Sequence, residues 1–265
     1  MTLERTLIDS HCHLDPKNFA DGSEPALGRA RQSGVGAFVC IGVGGLAEAQ
    51  YACALAERER DVVATVGVHP HDAAQNDPQL EASLLSLATQ DQVVAIGEIG
   101  LDFHYDHAPR GTQKAVFRRY VRLARQLKKP VVIHTRNAPS ETLEILESEN
   151  ARDVGGVIHC FSEDVAFARR VLDLGFMVSF SGIVTFKRAE AIQEVARWVG
   201  ADSYLVETDS PYLAPVPKRG KPNEPAYLVH TAAFVAQLRG QSLDQVAADT
   251  TRNARRLFGK QLVLD

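Results

Sequence analysis

Apolar and β-branched residues gather in short runs along this chain, and between the runs apolar residues return every three or four positions. Eight runs stand out, at residues 6–10, 37–41, 62–68, 93–99, 131–135, 156–160, 176–180 and 204–207. Each is near-continuously apolar, the pattern of strands buried on both faces of a parallel sheet. Helical spacing marks residues 47–58, 78–89, 112–127, 140–147, 164–174, 189–199, 226–238 and 243–258. Ser162 is expected to cap the helix that starts near Asp164, and Gly175 to end it after Leu174. Ser242 followed by Gln245 has the spacing of a capping box. Eight strand–helix units in a chain of this length predict an α/β fold, a (β/α)8 TIM barrel in a single domain over residues 1–265. The main rival, an open doubly wound sheet, would carry a Gly-rich dinucleotide turn after the first strand, and none is present. The loop at 211–225, rich in proline, is long enough to suggest function beyond connection.

In such a barrel the active site forms where the strands end. The first run leads into His11 and His13. Period two puts both on one strand face and turns Cys12 the other way, into the layer between strands and helices. The third run leads to His69-Pro70-His71, and the fourth holds Glu98 in Gly97-Glu98-Ile99-Gly100-Leu101-Asp102. The fifth ends at His134, the sixth at His159 and the eighth at Glu207-Thr208-Asp209. One strand-end histidine alone would be an ordinary hydrogen-bonded core residue. Four of them with two acids at one rim predict a site, because charges are not buried unpaired.

The predicted metal-ligand set is His11, His13, Glu98, His134, His159 and Asp209. Six nitrogen and oxygen donors suit two divalent ions better than one tetrahedral ion, with Glu98 able to bridge them. Two ions ~3.5–4 Å apart can activate a water and stabilise a leaving oxygen. Asp209 can then also accept the proton of the attacking water. Asp9 and Glu207 share the face parity of His11 and Asp209 one layer deeper, and are read as groups that orient the ligands.

Composition narrows the substrate more than the fold. The chain has 265 residues, 45% of them hydrophobic and 23% charged, which is ordinary for a globular protein. No apolar run reaches the ~18 residues of a membrane span. Met1-Thr2-Leu3-Glu4-Arg5 carries no apolar signal region, so a cytoplasmic location is expected. The four cysteines (Cys12, Cys40, Cys53, Cys160) form no CxxC pair and read as buried thiols. The formal net charge is -4. A protein that coats long nucleic acid would normally be basic, so any nucleic-acid contact is expected to be confined to a cleft. The sequence does not set the oligomeric state, and a monomer is compatible with it.

Seven stretches resemble the TatD family of metal-dependent deoxyribonucleases. They are Ile8-Asp9-Ser10-His11-Cys12-His13-Leu14, Gly67-Val68-His69-Pro70-His71, Gly97-Glu98-Ile99-Gly100-Leu101-Asp102-Phe103 and Pro130-Val131-Val132-Ile133-His134-Thr135-Arg136. Ile158-His159-Cys160-Phe161-Ser162, Leu205-Val206-Glu207-Thr208-Asp209-Ser210-Pro211-Tyr212-Leu213 and Arg219-Gly220-Lys221-Pro222-Asn223-Glu224-Pro225 complete the set. The resemblance implies an amidohydrolase-like barrel and hydrolysis of DNA phosphodiester bonds with a divalent metal, often from a 3′ end. It maps ligand roles onto the same six residues. Two departures stand out. Many members have Asp where this chain has Asn137, and Gln where it has Tyr120. Both bear on substrate contacts or local packing rather than on the metal ligands.

On the substrate side, His69 is read as catalytic. His71 and His104 could contact a phosphate or protonate a leaving group. Arg136 could clamp a phosphate, and Arg219 and Lys221 could track a backbone. Phe103 and Tyr105 could stack a base of a single-stranded end or pack their loop. Four imidazoles favour zinc, manganese, iron or nickel on softness, whereas the resemblance points to magnesium or manganese. Magnesium, manganese and zinc all stay open. The same site could instead hydrolyse another ester or amide, such as a D-aminoacyl-tRNA, or serve as a non-catalytic metal-bound scaffold.

Overall fold

The computed structural model describes residues 6–259 and 262. Eight parallel strands follow one another in chain order around the sheet: β1 (Leu7–Cys12), β2 (Val35–Gly42), β3 (Val62–Val66), β4 (Val93–Asp102), β5 (Val131–Arg136), β6 (Gly156–Ile158), β7 (Phe176–Phe180) and β8 (Tyr204–Val206). The ring closes above β8. Cys12 bridges Ser210, the His13 amide donates to the Ser210 carbonyl (2.9 Å), and the Asp209 amide donates to the His11 carbonyl (2.9 Å). The (β/α)8 expectation holds, and the closing seam lies between two pairs of expected site residues.

The helices are α1 (Ser23–Gln32), α2 (Leu46–Arg58), α3 (Pro78–Ala88), α4 (Arg110–Leu127), α5 (Pro139–Ser148), α6 (Val165–Asp173), α7 (Glu190–Trp198), α8 (Leu228–Arg239) and α9 (Leu243–Phe258). They bury a shell against the outer faces of the strands, in which Phe38, Phe117, Tyr120, Phe161, Phe180 and Tyr204 are the bulkiest fully buried members. Cys12 lies in this shell as its parity requires, with its thiol toward the Val39 carbonyl. A second apolar cluster fills the barrel: Ile8, Val39, Val63, Val132, Val157 and Leu205 meet Ala254, Phe258 and Leu262. Helix α9 is tied beneath the strands by Thr251 Oγ1 donating to the Thr6 carbonyl (2.7 Å) and Asn253 Nδ2 donating to the Tyr204 carbonyl (2.9 Å).

Several boundaries differ from the sequence reading. Strand β4 runs on to Asp102 because it stays paired with β5 as far as Arg136, so Glu98 sits inside the strand and Asp102 at its end. Strand β3 stops at Val66, leaving His69 in the following loop, where its Nδ1 accepts from the His71 amide (3.2 Å). Ser162 does not cap α6. Asp164 does, accepting from the Phe167 amide (2.9 Å), because a carboxylate adjacent to the first turn reaches an unpaired N–H directly. Gly175 takes a left-handed φ of 81° as expected. Ser242 caps α9, but the Gln245 side chain turns to Asp249 (3.0 Å) and leaves the reciprocal half of the capping box unmade. Cys12, Cys40 and Cys53 are buried free thiols, whereas Cys160 is only partly buried.

Candidate metal centre

Each donor reaches the rim for a local reason. His11 is the fifth residue of β1, and His13 follows the strand end on the same face, their rings 5.1 Å apart edge to face. Glu98 rises from β4, which can lie close to β5 because Gly100 has no Cβ. A methyl there would run into the His134 carbonyl oxygen. His134 is the fourth residue of β5, and His159 follows β6 directly. Asp209 holds a left-handed φ of 55° just past β8, which an aspartate tolerates better than most residues.

The carboxylate of Glu98 is the hub. Its Oε1 lies 2.7 Å from His159 Nε2, 2.9 Å from His134 Nδ1 and 3.3 Å from His69 Nε2. Its Oε2 faces His11 Nε2 at 3.4 Å and His13 Nε2 at 3.9 Å. Asp209 Oδ1 completes that second group, 3.6 Å from His11 and 3.4 Å from His13. Three sets of donors could each hold an ion: His11, Glu98 and His159; His11, His13 and Asp209; and His69, Glu98 and His134. The six predicted ligands therefore converge, and His69 joins them.

The chemistry of this donor set fits divalent metal. Glu98 is 2% exposed, Asp209 8%, Asp102 1%, and Glu207 and Asp9 are fully buried. Among the described residues, every ion pair of Glu98, Asp102, Asp209 and Glu207 is to a histidine, with no lysine or arginine in reach. Unpaired buried charge costs several kcal/mol (~2–7 even for polar groups), so the cluster calls for a cation. Donor separations near 3–3.5 Å are the edges of a coordination polyhedron with ligand distances of ~2.1 Å.

Protonation in the metal-free chain follows the same logic. Burial works against the Glu98 carboxylate, but the charges of His159 and His69 and hydrogen bonds from His11 and His134 hold its pKa well below the usual value. Asp209 is also held low against burial, by His13, His11 and His159. Burial opposes the charged forms of His13, His134 and His159, yet their carboxylate partners raise all three. His11 and His69 are lowered, chiefly by burial.

Beneath the donors lie the expected supporting groups. Asp9 accepts from the Thr208 amide (2.9 Å) and hydroxyl (2.5 Å), fixing the turn that carries Asp209. Burial pushes its pKa up to about 7 despite those bonds. Glu207 Oε1 accepts from the Cys160 amide (2.6 Å) and lies 3.3 Å from His159 Nδ1.

Asp102 stands in the Gly97–Phe103 stretch, and its place there did not mark it as part of the site. Asp102 Oδ2 sits 3.1 Å from His134 Nε2 and 2.9 Å from His71 Nε2, so one carboxylate orients a donor and a rim histidine together. The signal was its parity with Glu98, four residues back on one strand. His107 was also missed: it stacks on Tyr105 at 5.5 Å and meets His71 edge-on at 4.6 Å.

All the donors but His11, which is fully buried, line a cleft of about 680 Å³, shared with His71, Arg136, Tyr105 and Tyr212. His104, Arg219 and Lys221 do not line it. His104 and Lys221 are exposed, and Arg219 packs over the Phe186 ring at 3.9 Å. Phe103 is buried under Arg110 and packs its loop instead of offering a stacking face. The 211–225 loop sends Tyr212 and Leu213 to the cleft and then folds back, with Asn223 Nδ2 donating to the carbonyls of Thr208 (2.8 Å) and Tyr212 (2.7 Å). Asn137 takes a left-handed φ of 54° that suits Asn as well as Asp. The Tyr120 hydroxyl donates to Asn76 (2.9 Å) behind the loop that carries His71. Both departures thus lie in local structure, outside the donor set.

Comparison with known proteins points to metal-dependent hydrolysis. A family model described as TatD related DNase matches residues 8–259. The chain is 44% identical over 95% of both proteins to the uncharacterized metal-dependent hydrolase YcfH of Escherichia coli K12. It is 34% identical to the 3'-5' ssDNA/RNA exonuclease TatD of Klebsiella pneumoniae, over 96% of this chain and 98% of that one. The crystal structure of YjjV, a TatD homologue from Escherichia coli, superposes with a TM-score of 0.88 at 29% identity, covering 96% of this chain and 98% of the other. The chain belongs to the TatD family of metal-dependent hydrolases.

Proposed function

We propose that the protein is a phosphodiesterase acting on the ends of single-stranded DNA through two divalent ions that share Glu98. One observation carries the two-ion reading. The two oxygens of Glu98 face different donor groups, Oε1 toward His134 and His159, Oε2 toward His11 and His13 with Asp209 beyond. Glu98 could hold an ion at each oxygen, with His134 and His159 beside one and His11, His13 and Asp209 beside the other.

When bound, such ions supply Lewis acidity and lower the pKa of water toward neutrality. The chain's own groups do the rest. Asp209 borders the cleft and holds its carboxylate charged, so it can take the proton of an attacking water. Arg136, exposed at the mouth with its guanidinium 4.7 Å above the Tyr105 ring, meets the phosphate backbone with paired N–H donors. His69 and His71 line the same wall, within reach of a leaving oxygen. Asp102 holds His71 and His134 in place. Restricting contact to a cleft agrees with the net charge of -4.

The reading is supported by the family match and by the exonuclease name of the Klebsiella relative. It is tested with end-labelled single-stranded DNA, magnesium or manganese, and Asp209→Ala as control. Metal-dependent release of mononucleotides, lost in the variant, is expected. No hydrolysis across a panel of divalent ions, or turnover of a D-aminoacyl-tRNA ester far faster than DNA, would overturn it.

A further inference from the structure

The cleft, about 680 Å³, is larger than two ions and one phosphate fill. On the β1–β2 side its walls are Cys40, Ile41, Val43 and Ala52. Cys40, Ile41 and Ala52 are 1%, 4% and 1% exposed. Burial pushes the Cys40 thiol up to about 12, so it is an uncharged apolar wall. Polar groups edge this arm. Lys17 pairs with Glu48 at 2.7 Å, which ties the loop after β1 to the first turn of α2. The Tyr51 hydroxyl meets Ser23 at 2.5 Å and braces α2 against α1. Asn18 Nδ2 donates to the His13 carbonyl (3.2 Å), anchoring the same loop to the donor set.

The β4–β5 side differs in kind. It offers Tyr105 at 51% exposure, Arg136 above its ring, and His71. That side has the aromatic and cationic character of a single-strand track. The arm has the character of a small-molecule pocket, with apolar walls and a few convergent polar groups.

We propose that the β1–β2 arm is the subsite for the terminal nucleoside, and that the rest of the strand leaves along Tyr105 and Arg136. This rests on the phosphodiesterase reading above and deepens it. In this reading the base lies against Ile41 and Val43, with Glu48 and Asn18 bordering the same part of the cleft. The Lys17–Glu48 pair borders this arm, and with the terminal nucleoside held there, hydrolysis falls on the last phosphodiester bond and releases mononucleotides. Hydrolysis adds water across one P–O bond: the phosphate keeps the water oxygen, and the leaving oxygen takes a proton.

The test measures equilibrium binding to manganese-loaded protein, so it does not depend on turnover. The probes are dAMP and 2-deoxyribose 5-phosphate, which differ only in the base. The unmodified chain should bind dAMP at least about tenfold tighter. Val43→Trp, which fills the arm, should remove that difference. Tyr105→Ala should leave dAMP binding unchanged and weaken binding of a single-stranded octanucleotide. Equal affinity for the two probes overturns the inference, and so does loss of the dAMP preference in Tyr105→Ala with its retention in Val43→Trp. The two-probe comparison on the unmodified chain stands even if Val43→Trp folds poorly. A dAMP preference alongside no oligonucleotide hydrolysis would sink the phosphodiesterase reading and keep the nucleotide site.

Discussion

The lower and upper layers of the barrel interior use the same strands for opposite purposes. Two residues apart on one face, Val132 gives way to His134, Val157 to His159, and Leu205 to Glu207 and then Asp209. Below, apolar side chains pack against Phe258 of α9 and hold the ring closed. Above, buried carboxylates and imidazoles face one another at 2.7–3.9 Å. The lower layer is satisfied by packing alone. The upper layer is held by pairing of carboxylates with protonated imidazoles, and a cation would take the place of those protons. The difference teaches that stability and metal chemistry here are separable along a single strand, and variants should divide accordingly.

The largest effect is expected in the upper layer. Asp209→Ala should lower metal-dependent hydrolysis by about 10³-fold or more, measured as initial rate at saturating manganese. Unfolding of its metal-free form should stay cooperative, because no packed apolar group is lost. In the lower layer, Leu205→Ala should cost about 2–5 kcal/mol by denaturant unfolding, with activity per folded molecule retained. A stability loss in the first variant matched by an activity loss in the second would erase the proposed division.

Asp102→Asn comes next. It keeps the shape and loses the charge between His71 and His134, so metal affinity or activity should fall about 10–100-fold. Competition titration with a chromogenic chelator checks it, and an unchanged affinity and rate would make Asp102 a bystander.

pH should act on the upper layer alone. His13, His134 and His159 are raised by their carboxylate partners, so in the metal-free chain they hold protons above their usual ~6.5. Raised folded values mean that this stabilisation is full at low pH and is lost as pH rises through them. An ion must displace those protons, so metal affinity should rise with pH over the same window. Melting curves with and without manganese from pH 5.5 to 8.5 should therefore diverge as pH increases. Parallel curves would count against the donor assignment.

The smallest effects are expected outside the cleft. Arg219→Ala and Lys221→Ala should change KM for single-stranded DNA less than about twofold, since neither lines the cleft. A larger change would mean that the 211–225 loop reaches the substrate after all.

Most of the barrel was legible because its strands are near-continuously apolar and the ionisable residues interrupt them only at one end. Helix α1 was not anticipated. Its sequence, Ser23-Glu24-Pro25-Ala26-Leu27-Gly28-Arg29-Ala30-Arg31-Gln32, carries Pro, Gly and three charges and buries only small residues and Leu27. The donors were legible from period two plus strand order. His69 and Asp102 were less so, because β3 stops early and β4 runs late, and strand length is set by pairing with neighbours rather than by local composition. The reach of Arg219 and Lys221 was not legible, because a long loop has no period to report which way it turns; neither lines the cleft. Asn223 bonding back to Thr208 and Tyr212 decides it.

The measurement that bears most directly on the proposed pair of ions is anomalous diffraction from crystals loaded with manganese. The account predicts two peaks, one beside Glu98 Oε1 with His134 and His159, the other beside Oε2 with His11, His13 and Asp209. A single peak, or ions away from Glu98, would contradict it.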